Sequence, residues 1–184
     1  SVPWGRDVAH VVTAMPFDGR AHVVVLAVTN ANVHKRTNLA AEPRDDLRFD
    51  PVPALAAPAT DREAQQLFHY AALARTAQIA GALQSALERS IAYALERKQF
   101  GRPIGQFQTV QQQLAVFGAE TAAATCASRC AAIAATAGEA SFQIAAAKLR
   151  ANQAIGVATA TAHQVHGAIG FTWEYPLRHA TQRL

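Results

Sequence analysis

Glu96-Arg97-Lys98-Gln99-Phe100-Gly101-Arg102-Pro103-Ile104-Gly105-Gln106-Phe107-Gln108 is the stretch on which the fold reading turns. Upstream of it, no proline interrupts the chain from Thr60 to Arg102. Apolar residues recur there at helical spacing: Leu67, Tyr70, Ala74, Ala77 and Gly81, then Leu83, Leu87, Ile91 and Leu95 at intervals of four. That period predicts one long helix. Thr60-Asp61-Arg62-Glu63 has the Thr-x-x-Glu form in which each side chain satisfies a backbone N–H of the other residue at a helix start. Gly101, Pro103 and Gly105 form the first stop, so the stretch is a helix end, a turn and a new helix start.

Downstream, a second helix is expected from about Gln106 to Thr136, stopped by Gly138. A third is expected from about Glu139 to His166, stopped by Gly167 and Gly170, and Pro176 permits another start. Long helices joined by short turns pack antiparallel into a bundle. Before residue 58 the sequence changes character. Ala9 to Met15 and Ala21 to Val28 are rich in Val and Thr, with Pro16-Phe17-Asp18-Gly19-Arg20 as a turn signal between them. Asn32 to Lys35 reads as a short extended run, and Asp45 to Asp50 as an edge strand ended by Pro51 and Pro53. Residues 50–59 hold three prolines and read as a linker. The expectation is a mostly α chain: a partial antiparallel β domain over residues 1–58, then a four-helix up-down bundle over residues 59–184.

Composition sets limits on function. Hydrophobic residues are 51% and charged residues 16% of the chain, which excludes a disordered segment. Much of the apolar share is alanine, a strong helix former that buries little area. With aromatic residues at only 7%, close helix-on-helix packing and subunit association are expected. The net charge of +4 fits either an ordinary surface or a site for anionic ligands. No basic block occurs, so nucleic acid is not expected as a partner. No charged-then-apolar leader and no long apolar run is present, so neither a signal peptide nor a membrane span is expected. Cys126 and Cys130 lie four apart on one helix face and are expected as half-buried helix residues in a reducing cytoplasm. Two further ligands would be needed for a metal, and none is expected.

Three places could carry chemistry. Arg97 and Lys98 could be a charged helix end that meets the negative pole of the dipole. Equally, Arg97 could present its planar donor fork to a phosphate, with an amide from Gln108 and the next helix N-terminus assisting. In His163-Gln164-Val165-His166-Gly167-Ala168-Ile169-Gly170 the glycines could end a helix, or let backbone approach a ligand. Glu174-Tyr175-Pro176 reads as a helix start.

In this order and spacing the three segments resemble the acyl-CoA dehydrogenase family. Its pattern is an Arg-x-x-Phe-Gly turn, a Gln at the head of the next helix, a Gln-x-x-Gly-Gly segment and then Glu-Tyr-Pro. The matching residues are Arg97, Phe100, Gly101 and Gln108, then Gln164, His166, Gly167 and Ala168, then Glu174, Tyr175 and Pro176. Arg89 and Tyr93 on the first helix carry no assigned role. Val2-Pro3-Trp4 and Ala41-Glu42-Pro43 look like the later part of the family's β-rich middle domain. The resemblance implies FAD as cofactor, held mainly by a neighbouring subunit. It implies one contact patch of Arg97, Phe100 and Gln108, and a second of Gln164, Val165, His166, Gly167 and Ala168 toward the adenosine-diphosphate portion. Ala168 departs from the family's second glycine.

The implied reaction is α,β-dehydrogenation of an acyl-CoA thioester, with an electron-transfer flavoprotein as electron acceptor and a homo- or hetero-oligomer as the assembly. Many members place the catalytic glutamate after the Glu-Tyr-Pro helix. Another branch places it on the first bundle helix, near Ala71 in this chain. No Asp or Glu occurs from Ala64 to Leu87, and Glu63 is accounted for by the helix start, so no catalytic residue is nominated. Two expectations follow: an FAD-dependent dehydrogenase of which this is a segment, or a non-catalytic partner subunit that completes a neighbour's site.

Overall fold

The computed structural model describes residues 1–51 and 54–184. The chain divides into two compact units, Ser1–Tyr70 and Ala71–Leu184. The expected linker of residues 50–59 falls partly outside the described residues at Val52 and Pro53.

The first unit is antiparallel sheet. β2 (His10–Phe17) and β3 (Arg20–Ala27) pair from His10↔Ala27 to Phe17↔Arg20. Asp18 and Gly19 connect them at φ 51° and 73°, the double left-handed conformation of a two-residue hairpin whose twist matches its strands. β6 (Leu55–Pro58) pairs with the other side of β3, so part of the expected linker is strand. Pro58 is tolerated because β6 lies at an edge, where a missing N–H costs no ladder bond.

In the second sheet β5 (Arg44–Phe49) lies between β1 (Val2–Pro3) and β4 (Ala31–His34). The edge assignment for Asp45–Asp50 is therefore corrected. Its charges resemble those that protect an edge, but Asp45 is fully buried. Its carboxylate accepts the Arg6 guanidinium at 2.5 Å and the backbone N–H groups of Arg6 and Arg36 at 2.8 and 3.0 Å. The Arg6 bond first, and then the backbone N–H groups, hold that carboxyl well below its ordinary range against the opposing effect of burial.

The helices are α1 (Asp61–Glu96), α2 (Gln108–Ala137), α3 (Ser141–His166) and the short α4 (Leu177–Thr181), giving the expected mostly α architecture. The α1 start is built as its sequence implies. The Thr60 N–H donates to Glu63 Oε2 at 2.8 Å, and the Glu63 N–H donates to Thr60 Oγ1 at 3.2 Å. By contrast, α4 begins after Pro176 with no side-chain cap from Glu174.

Ile144, Ala147, Ala151, Ala154, Ala158, Ala162 and Val165 are buried along α3, at intervals of three and four. Phe117, Thr121, Ala124, Ser128 and Ala131 follow the same rule on α2. On α1 the buried line is Thr76, Ile79, Ala80, Leu83, Ala86, Ser90 and Ala94. Tyr70, from the mixed series of threes and fours, is exposed, and the expected line at strict fours is corrected at Ile91 and Leu95, which are exposed too. A step of four overshoots one helical turn, so such a line winds off the buried face. Cys126 and Cys130 are free and exposed, contrary to the half-buried expectation, because their line on α2 is offset from the Ala124–Ser128–Ala131 seam. Among the described residues no helix is long and apolar enough to cross a membrane, and no group of three or more His, Cys, Asp or Glu could hold a metal.

Candidate functional site

The turn after α1 is a miniature hairpin. The Arg97 N–H donates to Tyr93 O at 2.8 Å, closing the helix. β7 (Lys98–Gln99) pairs with β8 (Arg102–Pro103) through Lys98↔Pro103 and Gln99↔Arg102. Phe100 and Gly101 form the tip at φ 52° and 79°. Glycine takes that conformation freely, whereas Phe100 is strained in it, a cost of the kind that gathers at functional positions. The Phe100 ring is 93% exposed and stands edge-on to Phe107 at 6.2 Å. The Arg102 guanidinium covers the Phe107 ring at 4.2 Å. At Gly105 a Cβ would lie 3.0 Å from Ala94 O, so only glycine lets the chain cross α1 this closely. α2 then starts at Gln108 with no side-chain cap and no acidic residue in its first turn. The Arg97 and Gln108 side chains are both exposed, and Gln108 stands at the positive pole of α2.

The end of α3 lies at the same end of the bundle. The His166 ring stacks on Tyr93 of α1, with centroids 4.5 Å apart, and Tyr175 tilts against it at 5.1 Å. Tyr93 is thus one turn below Arg97 and directly against the second candidate segment. The structure brings the two expected patches together through this pair of rings. Within the second patch Gln164, Gly167 and Ala168 are exposed, whereas Val165 and His166 are buried. The Val165 side chain belongs to the core, so only its backbone could face a ligand. Gly167 turns the chain at φ 63° and closes α3 by donating its N–H to His163 O.

Several polar atoms here have no partner. His166 Nδ1 lies 2.8 Å from Ala162 O, and a carbonyl only accepts, so Nδ1 carries the proton and Nε2 is an acceptor. That Nε2 is buried without a hydrogen bond. His163 Nε2 meets Thr181 Oγ1 at 3.1 Å and its ring stacks on Phe171 at 4.2 Å, while its buried Nδ1 is also unpartnered. Burial lowers the pKa of both imidazoles, more than offsetting the Ala162 carbonyl that raises it for His166. Both rings are therefore neutral at neutral pH. Tyr175 is raised, first by burial and then by Tyr93.

Gly170 sits under these rings, where a Cβ would approach His166 Cβ, Leu177 Cδ2 and His163 Nδ1 at 3.0, 3.2 and 3.3 Å. An orphaned ring acceptor, exposed backbone at Gly167 and Ala168, an arginine fork and an uncapped helix start suit a large ligand with phosphates and polar rings. The donor set fits the diphosphate of a dinucleotide.

Glu96 at the end of α1 acts electrostatically on Tyr175, but α1 brings no carboxylate from the position near Ala71. The stretch from Ala64 to Leu87 holds none, and Glu63 is bound to the Thr60 backbone N–H first and its hydroxyl second, which lowers its pKa and makes it a weak base. Sequence reading gave Tyr93 no role and passed over Trp173 and Arg178. The Arg178 guanidinium lies 3.0 Å from the centre of the Trp173 ring. α4 is so short that Arg178 also falls in its last turn, where a cation is favoured, so its place in the sequence carried no signal.

A profile of the acyl-CoA dehydrogenase C-terminal domain matches residues 62–184. Acyl-CoA dehydrogenase IpdE2 of Mycobacterium tuberculosis is 33% identical over 160 residues, covering 84% of this chain and 48% of that protein. IpdE2 of Mycolicibacterium smegmatis is 35% identical over 114 residues, covering 62% of this chain and 35% of that protein. The chain therefore spans about half the length, or less, of these curated relatives. Among solved structures, the ChsE4-ChsE5 complex from Mycobacterium tuberculosis superimposes with a TM-score of 0.90 at 25% identity, over 99% of this chain and 51% of that chain. A glutaryl-coenzyme A dehydrogenase in complex with glutaryl-CoA gives 0.85 at 25% identity, over 98% of this chain and 50% of that chain. The chain belongs to the acyl-CoA dehydrogenase family.

Proposed function

We propose that this chain forms the helical bundle of an FAD-dependent acyl-CoA dehydrogenase, which removes hydrogen across the α,β-bond of an acyl-CoA thioester in acyl-chain catabolism. The single observation that carries this reading is the convergence of the Arg97–Gln108 turn and the Gln164–Ala168 segment on one bundle end through the Tyr93–His166 stack. Arg97 offers two parallel N–H groups to a phosphate, a bidentate geometry that lysine lacks. Gln108 and Gln164 offer exposed amides, and Phe100 an exposed ring. Gly167 and Ala168 present backbone, the Ala168 methyl limiting how closely a diphosphate can lie. When bound, FAD supplies the acceptor for the β-hydrogen and its electron pair. The α-proton goes to a carboxylate from elsewhere in the assembled protein, since α1 offers none between Ala64 and Leu87.

In the same reading, the site is completed by a neighbouring subunit in a homo- or hetero-oligomer, an electron-transfer flavoprotein reoxidises the enzyme, and the protein works in the cytoplasm. Free, exposed Cys126 and Cys130 are consistent with a reducing compartment. The acid-free stretch of α1 and the likeness to a two-protein complex also support a second reading, a partner subunit without its own base.

The test uses the full-length protein. It is expected to purify yellow and to bleach anaerobically on addition of an acyl-CoA. Flavin retained with no bleaching at any acyl-chain length until a partner is added selects the second reading. Arg97→Ala is expected to weaken FAD binding about tenfold to a hundredfold, the range of a lost charge-assisted bond. Unchanged flavin affinity in that variant would remove the assignment of this turn.

A further inference from the structure

Arg178 is unlike the other arginines of the structure. It is buried, with 7% relative exposure, in the first turn of α4. Its guanidinium carbon lies over the Trp173 ring, yet its buried Nε has no hydrogen-bond partner. Among the described residues, no carboxylate lies within ion-pair distance of it. The contrast with Arg6 and Arg150 is direct: each is paired, with Asp45 and Glu120 respectively. A charge taken out of water without a counter-charge is destabilising, and stacking on an indole offsets only part of that cost. Stacking also fixes how the cation can be used. Trp173 lies against the guanidinium carbon, and the buried Nε is left as a donor without a partner. An edge that includes Nε makes two parallel N–H···O bonds to an oxyanion.

The surroundings favour a phosphate on an aromatic-bearing ligand. Trp173 and Phe171 are each 66% exposed. Gly170 packs between His163, His166 and Leu177, the residue that precedes Arg178. None of those neutral rings can neutralise the guanidinium.

We propose that Arg178 is a second phosphate-binding cation at this end of the bundle, taking an oxygen of the cofactor's diphosphate on its Nε edge while Trp173 holds its plane. This rests on the FAD reading above. It adds a residue that neither the expected patches nor the resemblance contains, and it gives Trp173 a positioning role.

The consequence is a pair of opposite effects. Arg178→Gln keeps length and polarity but removes the charge. In full-length protein freed of flavin, its melting temperature is expected to equal or exceed that of the parent, because an uncompensated buried charge is gone. The same variant is expected to bind FAD about tenfold to a hundredfold more weakly, read by quenching of flavin fluorescence on titration. ADP should raise the melting temperature of the apo parent and raise that of Arg178→Gln less. Arg178→Lys keeps charge without the fork and should recover only part of the affinity. Trp173→Leu should weaken FAD binding in the parent and change nothing further in Arg178→Gln.

Three outcomes overturn the proposal. Arg178→Gln could lower the apo melting temperature and leave FAD affinity intact, making the arginine a structural prop. Succinate could stabilise the apo parent through Arg178 where ADP does not, making the site one for carboxylates. Arg178→Gln could loosen the oligomer in sedimentation with FAD affinity intact, placing a subunit's carboxylate on the arginine. Arg97→Ala separates this failure from that of the FAD reading. Loss of affinity in Arg97→Ala alone removes only the Arg178 assignment, and no loss in either variant removes both.

Discussion

The two ends of the helical bundle are built from different materials. At the end where α2 turns into α3, Ala131, Ala140, Ile144 and Ala147 are buried together, with Ala72 and Leu73 packed against them. Gly138 turns the chain into open space. At the other end the bundle closes on Tyr93, His166, Tyr175, His163 and Phe171, with two imidazole nitrogens and a guanidinium nitrogen buried and unpaired. Between the ends, the Thr76 and Ser90 hydroxyls bond back to carbonyls of their own helix at 2.7 and 2.8 Å, while the unpartnered atoms at Thr121 and Thr125 are neutral hydroxyls. Stability alone would have closed both ends with alanine and leucine. Buried polar atoms without partners are rare in folded proteins, and their concentration at one end locates the part shaped by something other than packing.

The difference can be tested by mutation. Phe117 is fully buried in the alanine-rich core and is among its largest side chains. Phe117→Ala is expected to cost about 3–5 kcal/mol of stability. Denaturant unfolding would show it, and the flavin affinity of the remaining folded fraction should be unchanged.

A smaller effect separates two glycines. Gly170→Ala crowds both imidazoles and Leu177, with an expected cost of about 1–3 kcal/mol and a measurable loss of FAD affinity. Gly138→Ala meets no atom but must hold φ 120°, so it should lower the melting temperature and spare FAD affinity. Equal effects on cofactor binding from the two would erase the distinction between the ends.

The smallest effect is one of pH. The half-buried His163 and the buried His166 have lowered pKa values, so below about pH 6.5 the unfolded chain takes up protons that the folded chain resists. Their contribution is complete above that pH and is lost as pH falls toward the depressed folded values. Melting temperature should therefore decline on acidification through this range, and the decline should be shallower in His166→Phe.

How much of this was legible in the sequence follows from the range of each interaction. Helix ends were readable because their determinants are local: Thr60 with Glu63, Gly167 after His166, Pro176 before Leu177. The position of β5 was not, because Asp45 is satisfied by Arg6, 39 residues away. A carboxylate whose partner is distant looks the same in sequence as one facing water. The segments around Arg97 and Gln164 were found through their motifs, but the ring stack that joins them pairs residues on different helices. Arg178 was missed because an arginine in sequence shows neither its burial nor its lack of a partner.

The alanine seam of α3 has one further consequence. An alanine side chain has no rotamers to choose among, so nothing adjustable stands between one helix backbone and the next. Ala151, Ala154, Ala158 and Ala162 are each fully buried, and the last lies one turn before His166. The separation of the helices is thereby set by methyl thickness, as a spacer sets the gap between two plates. The registration of His166 against Tyr93 inherits the tolerance of the polypeptide backbone, which is narrower than that of a seam of flexible leucines or methionines.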